Sequence, residues 1–299
     1  MTRESWTNPG KALLRPSPRR ALGRLIQERT FTYGAYARFL DQLTDDRRYR
    51  VVPLRGLPVG DPQRTVIGLR HDVDDRLGSA LRFGRLEYER GLTATYFLLH
   101  SAAYYRHDPG FLRSVRTLQD DYGHEIGWHN DLVTLECVRG IDSIAYLHDE
   151  LAWLRSNGIS VTGTAAHGAR ECYEHGYSNI YFFADFPEVE PGLPNRHEVT
   201  IGGRTVAIPS ARLADFGLAY EATRLRRDRY FSDAAFDARG RRWHPSLLGR
   251  ELPAPGRTTI ILTHACLWDS SAPARIARES VRLAGRSVGL ATRRWTRSR

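Results

Sequence analysis

Short apolar runs bounded by turn residues recur through the middle of this 299-residue chain. Thr65 to Leu69, Thr93 to Leu99, His124 to Trp128, Val161 to Ala166, Asn179 to Ala184, Thr205 to Pro209 and Thr258 to Thr263 read as buried strands. Between several of them the spacing is helical: Leu77 to Arg90, Pro109 to Asp121 with Asp108 as N-cap and Pro109 at N1, and Asp142 to Ser156, ended by Asn157-Gly158. Alternation of strand and helix implies a parallel sheet. About seven strands over roughly 200 residues fit a (β/α) barrel or a doubly wound sheet. Residues 185 to 257 break the rhythm, with prolines at 187, 191, 194, 209, 245, 253 and 255, and read as a substrate-facing insertion. A helical arm at 17 to 48 precedes the first strand. The chain therefore divides into an N-terminal basic arm and helix (1–64), one main domain (65–270) and a basic amphipathic tail (271–299).

Composition narrows the class. With 41% hydrophobic and 26% charged residues the chain suits a soluble globular protein with a sizeable core. The net charge of +10 suggests nucleic acid until its distribution is read. Residues 1–30 hold seven basic residues against two acidic, residues 271–299 hold eight against one, and the stretch between is close to neutral. A phosphate-gripping protein would carry its basic residues on the folded body, so no nucleic-acid partner is expected. At the C-terminal end Arg275, Arg278, Arg282 and Arg286 form one helical stripe, a shape suited to a surface helix or to peripheral contact with an anionic membrane. Three scattered cysteines, no export signal and no spanning apolar run point to a cytoplasmic protein.

Both parallel architectures carry their chemistry at the carboxyl ends of strands. Four of the strands expected here end in ionisable residues: Arg70-His71-Asp72-Val73-Asp74-Asp75, Gly127-Trp128-His129-Asn130-Asp131, Ala166-His167-Gly168 and Thr263-His264-Ala265-Cys266. Carboxylate oxygen with neutral imidazole is the ligand set of a catalytic zinc or similar divalent ion, which keeps one position open for water. Leftover acid and imidazole can then move protons. Cys266, two residues beyond His264 and past the strand end, does not read as a nucleophile paired with it, and His71, His100 and His124 read as structural. Trp128, beside His129 at a strand end, reads either as core or as an aromatic face on which a substrate ring can stack.

The ordered segments Leu69-Arg70-His71-Asp72-Val73-Asp74, Ala94-Thr95-Tyr96-Phe97, Gly123-His124-Glu125-Ile126-Gly127-Trp128-His129 and Leu262-Thr263-His264 resemble those of the polysaccharide deacetylase (NodB-homology) family, carbohydrate esterase family four. The resemblance spans about residues 65–265. It implies a distorted (β/α) barrel of about seven parallel strands with helices outside, and a divalent metal, usually zinc. By the same resemblance Asp72 is the general base, Asp74 a metal ligand with Asp75 as the fallback, His129 a metal ligand and His264 the general acid. Two departures stand out. The family's second histidine, four residues after the first, is Val133 here; His167 is then favoured as third ligand over Asp131. The family's Arg-x-Pro-Tyr motif is also missing, leaving Arg170, with Asp185 as its carboxylate partner, or Arg70 to support the base.

The function so implied is hydrolysis of an N-acetyl or other small N-acyl group from an amino sugar or a precursor that carries one. Alternatives are hydrolysis of another non-peptide C–N bond on the same barrel, and a barrel that has lost its metal and serves as a scaffold at an anionic surface. A basic residue near Asp72 is required to keep that acid ionised.

Overall fold

The computed structural model describes residues 31–269 apart from 58–59, 191, 194, 236–242 and 246–253, together with 271, 273, 274 and 277. The expected C-terminal basic helix and the first half of the N-terminal arm lie outside the described residues.

Helix α1, Tyr33–Leu43, starts at Thr32, whose side chain accepts from the Ala35 N–H, and buries Tyr36, Phe39, Leu40 and Leu43 on one stripe. Strand β1, Tyr49–Val52, follows, then β2, Thr65–Val73, all nine residues of which are buried. Next come α2 (Leu77–Tyr88), β3 (Thr95–Leu99) and α3 (Pro109–Arg116), which begins as its sequence predicts, Asp108 capping the Phe111 N–H with Pro109 in the first turn. Beyond a single π turn, Thr117–Asp121, lie β4 (Glu125–Asn130), α4 (Leu132–Arg139), α5 (Ser143–Ser156), β5 (Val161–Ala166) and α6 (Arg170–His175). The remaining strands are β6 (Glu198–Ile201), β7 (Arg204–Ala207), β8 (Tyr220–Glu221), β9 (Arg229–Ser232) and β10 (Thr258–Thr263).

Seven strands pair in parallel in the order β8-β5-β4-β3-β2-β10-β9. They curl into a half-barrel with the helices outside. Strand β2 is long enough to serve two partners on one edge: β10 runs along Val66–His71, so β1 at Thr65–Gly68 and β3 at Arg70–Val73 share the other. Alternation along β2 sends Ile67, Leu69, His71 and Val73 outward to the main core beneath the helices, and Val66, Gly68, Arg70 and Asp72 into the concave side. There Val52, Val66, Phe97, Ala165, Tyr220 and Ile260, drawn from six strands, form a second apolar cluster. Rings cross this interior only because glycine faces them. A Cβ on Gly127 would stand 2.4 Å from the Phe97 ring, and one on Gly163 2.2 Å from the Tyr220 ring. Outside the barrel Tyr36 of α1 stacks on Phe83 of α2 at 3.8 Å.

Three expectations about elements need correction. Asn179 to Ala184 is no strand: Asn179–Phe182 is a 3₁₀ turn, started by the Ser178 hydroxyl accepting from Ile180 N–H. The run from Thr205 lies in an antiparallel hairpin of β6 and β7, closed at Gly202 and Gly203 with φ of 58° and 80°, apart from the barrel. The segment 185–257 is also more than an insertion, since it supplies β8 and β9 to the sheet, just as residues 1–64 supply β1. No helix among the described residues is long and apolar enough to cross a membrane.

Candidate functional site

At the carboxyl ends of β2, β4, β5 and β10 the inward-facing side chains converge. Arg70, Asp72 and Asp74 sit two residues apart and so share the concave face. Arg70 uses this spacing to grip Asp72 with two bonds, Nε to Oδ1 and Nη2 to Oδ2, each 2.8 Å. Both are buried, at 2% and 3% exposure. Burial pushes the Asp72 pKa up, but Arg70 and then His129 outweigh it and hold the carboxyl below its usual range. An Arg fork matched to a carboxylate fixes orientation as well as charge.

His129, on the same face of β4, turns Nδ1 to the Ala165 carbonyl at 2.8 Å, which makes Nδ1–H the donor and aims Nε2 into the site. That Nε2 lies 3.3 Å from Asp74 Oδ1 and 3.2 Å from His167 Nδ1, while His167 Nδ1 lies 3.6 Å from Asp74 Oδ1. The three donor atoms thus form a nearly equilateral triangle. Donors on one face of a tetrahedron with arms of about 2.0–2.1 Å stand about 3.4 Å apart, so a zinc-like ion fits the three. Asp74 Oδ1 is buried and has no hydrogen-bond donor, as a metal-facing oxygen would. Electrostatics agree: burial lowers the affinity of His129 for a proton, but Asp72 and Asp74 reverse that and raise its pKa. Burial and His129 together lower that of His167. Two imidazole nitrogens facing one carboxylate oxygen call for a single shared cation.

His264 follows β10. Its Nδ1–H donates to Asp233 Oδ1 at 2.6 Å, and its Nε2 points to the ligand cluster, 3.9 Å from Asp74 Oδ2. Asp233 is fully buried and accepts two more bonds on Oδ2, from His264 N–H and Trp268 Nε1–H, both 2.9 Å. Burial pulls the imidazole pKa down, yet the Asp233 charge and hydrogen bond overcome it and push it up to about 9. Asp233 is a residue of this site that no sequence motif marks. Its signal was the same as the others', an ionisable residue ending a strand, but β9 is four residues long and begins with exposed Arg229.

Other sequence candidates lie elsewhere. Trp128 is corrected: it faces outward from β4, fully buried and stacked on His100 at 4.8 Å, so it cannot meet a sugar. Arg170 pairs with Glu174 on the exposed side of α6, and Asp185 accepts from Leu213 N–H, so Arg170 does not hold Asp72 and the two do not pair with each other. Asp75 is exposed. Asp131 supports rather than joins the cluster: Asn179 Nδ2 donates to Asp131 Oδ1 at 3.0 Å and to the His167 carbonyl at 2.9 Å, fixing the loop that carries His167. Val133 is buried in the core, so the first turn of helix α4 does not offer that side chain to the site.

No family model matches this chain, and no curated protein does. Among solved structures it is similar to a family 4 carbohydrate esterase from Bacillus anthracis, at 17% identity and TM-score 0.34, over 84% of this chain and 86% of that one. It is also similar to a mutant of the peptidoglycan deacetylase PdaC from Bacillus subtilis, at 17% identity and TM-score 0.36, over 73% and 82%. A third is a mutant CE4 family pseudoenzyme with restored enzymatic activity, at 14% identity and TM-score 0.31, over 76% and 65%.

Proposed function

We propose that this chain is a divergent polysaccharide-deacetylase-like hydrolase that uses one divalent metal ion, zinc by its ligand chemistry, to remove an acetyl or other small acyl group from the nitrogen of an amino sugar. The observation that carries the reading is the Asp74, His129 and His167 triangle, with edges of 3.2, 3.3 and 3.6 Å, flanked by Asp72 held on Arg70 and by His264 held on Asp233. A base and an acid of separate electrostatic character beside three ligand atoms suit metal-assisted hydrolysis of an amide.

A bound ion of this kind polarises the acyl carbonyl and acidifies the attacking water. Asp72, kept ionised by Arg70, accepts the proton as water oxygen bonds to the carbonyl carbon. Arg70 also keeps the carboxylate from rotating away, since both of its oxygens are held. The Ala165 carbonyl fixes the His129 tautomer, so Nε2 keeps its lone pair toward the site. His264, protonated at neutral pH because Asp233 faces it, gives its Nε2 proton to the leaving nitrogen as the C–N bond breaks. Acetate and a free amine leave, and the two residues return to their starting protonation states by exchange with solvent.

Metal content per chain tests the reading, on protein purified without a metal-affinity tag, for the parent and for Asp74→Ala, His129→Ala and His167→Ala. We expect close to one equivalent in the parent and a large loss in each variant, with acetate released from N-acetylated amino sugars by the parent alone. A parent that takes up no zinc, cobalt or nickel would sink the mechanism and leave a binding role for the barrel.

A further inference from the structure

Tyr104 lies on the turn after β3, outside the motifs, and its hydroxyl occupies an unusual place. It accepts from the Leu99 N–H at 2.7 Å and donates to the Val73 carbonyl at 2.6 Å. The registered pairing of β2 with β3 ends at Val73 opposite Leu98. One more step would set Asp74 opposite Leu99, and in a parallel ladder the Leu99 N–H would then bond the Val73 carbonyl directly. The phenol stands where that rung would form. Donor and acceptor directions diverge at a hydroxyl oxygen, so the two backbones are held further apart than the roughly 2.9 Å of a direct bond.

The consequence falls on the two acids. Asp72 is still inside the ladder, opposite Phe97, with its carboxylate tied to Arg70. Asp74 is one residue past it, and the peptide that joins it to Val73 is the one whose carbonyl Tyr104 holds. We infer that Tyr104 is a positioning residue for the metal site: its hydroxyl wedges the end of β2 away from β3 and fixes the Val73–Asp74 peptide so that Asp74 meets His129 and His167 while Asp72 stays with Arg70. The turn is built to bring the phenol back, with Ala102 N–H on the Leu99 carbonyl at 3.1 Å and Tyr105 N–H on the Ala102 carbonyl at 3.0 Å. The inference rests on the metal site proposed above.

Cobalt(II) is the probe, titrated into metal-free full-length protein and followed by its d–d absorption, with zinc(II) competition for the affinity. Tyr104→Phe keeps the ring and removes the wedge; Tyr105→Phe, whose hydroxyl bonds Glu150, is the control. Supporting-shell losses of this type weaken metal binding about 10- to 100-fold, and that is the expected change in Tyr104→Phe, with an altered d–d band at saturation. Tyr105→Phe should stay within about threefold of the parent, well inside that supporting-shell range. Replacement of Tyr104 by 4-aminophenylalanine, which can again donate to Val73, should recover most of the affinity. Parent affinity and an unchanged band in Tyr104→Phe would overturn the inference and leave the metal site standing, as would a 4-aminophenylalanine variant that folds without regaining affinity. A parent that binds neither ion would overturn both.

Discussion

Asp233 decides how His264 behaves, because it supplies the hydrogen bond and the charge that keep a buried imidazole protonated. In the proposed mechanism the acid form of His264 is the competent one, so activity is expected to fall as pH rises through its pKa. Asp233→Asn keeps the shape and removes the charge. Loss of one opposing charge at contact distance moves a pKa by about 1–3 units, so the alkaline limb of kcat/KM should shift down by at least about one unit. A pH–rate profile on an N-acetylated amino sugar reads this; an unmoved alkaline limb would assign the donor elsewhere. Asp72, Asp74, His129 and His264 were legible in the chain because strand ends in a parallel sheet collect ionisable groups. Asp233 was not, since nothing local marks four residues beginning with Arg229 as a strand. The pairing of β9 with β10 makes it one.

Elements in this fold are shaped by what crosses the barrel. Gly163 and Gly127 admit the Tyr220 and Phe97 rings, and a methyl at either place collides with a ring that cannot swing clear. Gly163→Ala should cost about 1–3 kcal/mol as overpacking, and Tyr220→Leu in the same chain should return part of it. Denaturant melts of the two single variants and the double give the coupling. Additive costs would show that the sheet relaxes around the methyl. Helices α2 and α5 were readable within a residue or two from spacing and caps, and α3 in its start, whereas its expected end at Asp121 is a π turn over Thr117–Asp121. Strand β8 was not, because two residues carry no period and exist as strand only through pairing with Gly163 and Thr164.

The molecule as a whole carries buried ionisable groups on both faces of the sheet, and these set its response to acid. His100 is buried against Trp128, and desolvation lowers its pKa to about 3 despite the nearby Asp131. Between its unfolded value near 6.5 and that lower value, the unfolded chain takes a proton that the folded chain refuses. The stability from His100 is therefore full above about pH 6.5 and declines toward pH 3, with a slope of up to about 1.4 kcal/mol per unit. Glu87, buried among Tyr36, His71 and Tyr96, acts in the same direction: burial raises its pKa but His71 reverses this, so its contribution is lost as the carboxylate protonates. His100→Gln should flatten the fall in melting temperature between pH 7 and 5. An unchanged slope would place the acid sensitivity in other groups.

By itself the sequence determined the parallel strand–helix alternation, the mouth at which the strands end and most of the ionisable residues gathered there, because these depend on period and order along the chain. Tertiary structure chose among the alternatives that the sequence left open, setting His167 rather than Asp131 beside Asp74 and His129 and Arg70 rather than Arg170 on Asp72, and it alone brought Asp233 to His264. His167 reaches Asp74 only because β5 lies beside β4, in a register that sets Ala166 opposite Asn130. Arg70 rather than Arg170 holds Asp72, since two residues of strand separate the first pair and a helix carries the second outward. Trp128 and His129 are neighbours in the chain and yet belong to opposite faces of one strand, the first to the core and the second to the site. Side-chain direction alternates locally, but which face becomes the concave one is fixed by how the whole sheet curls.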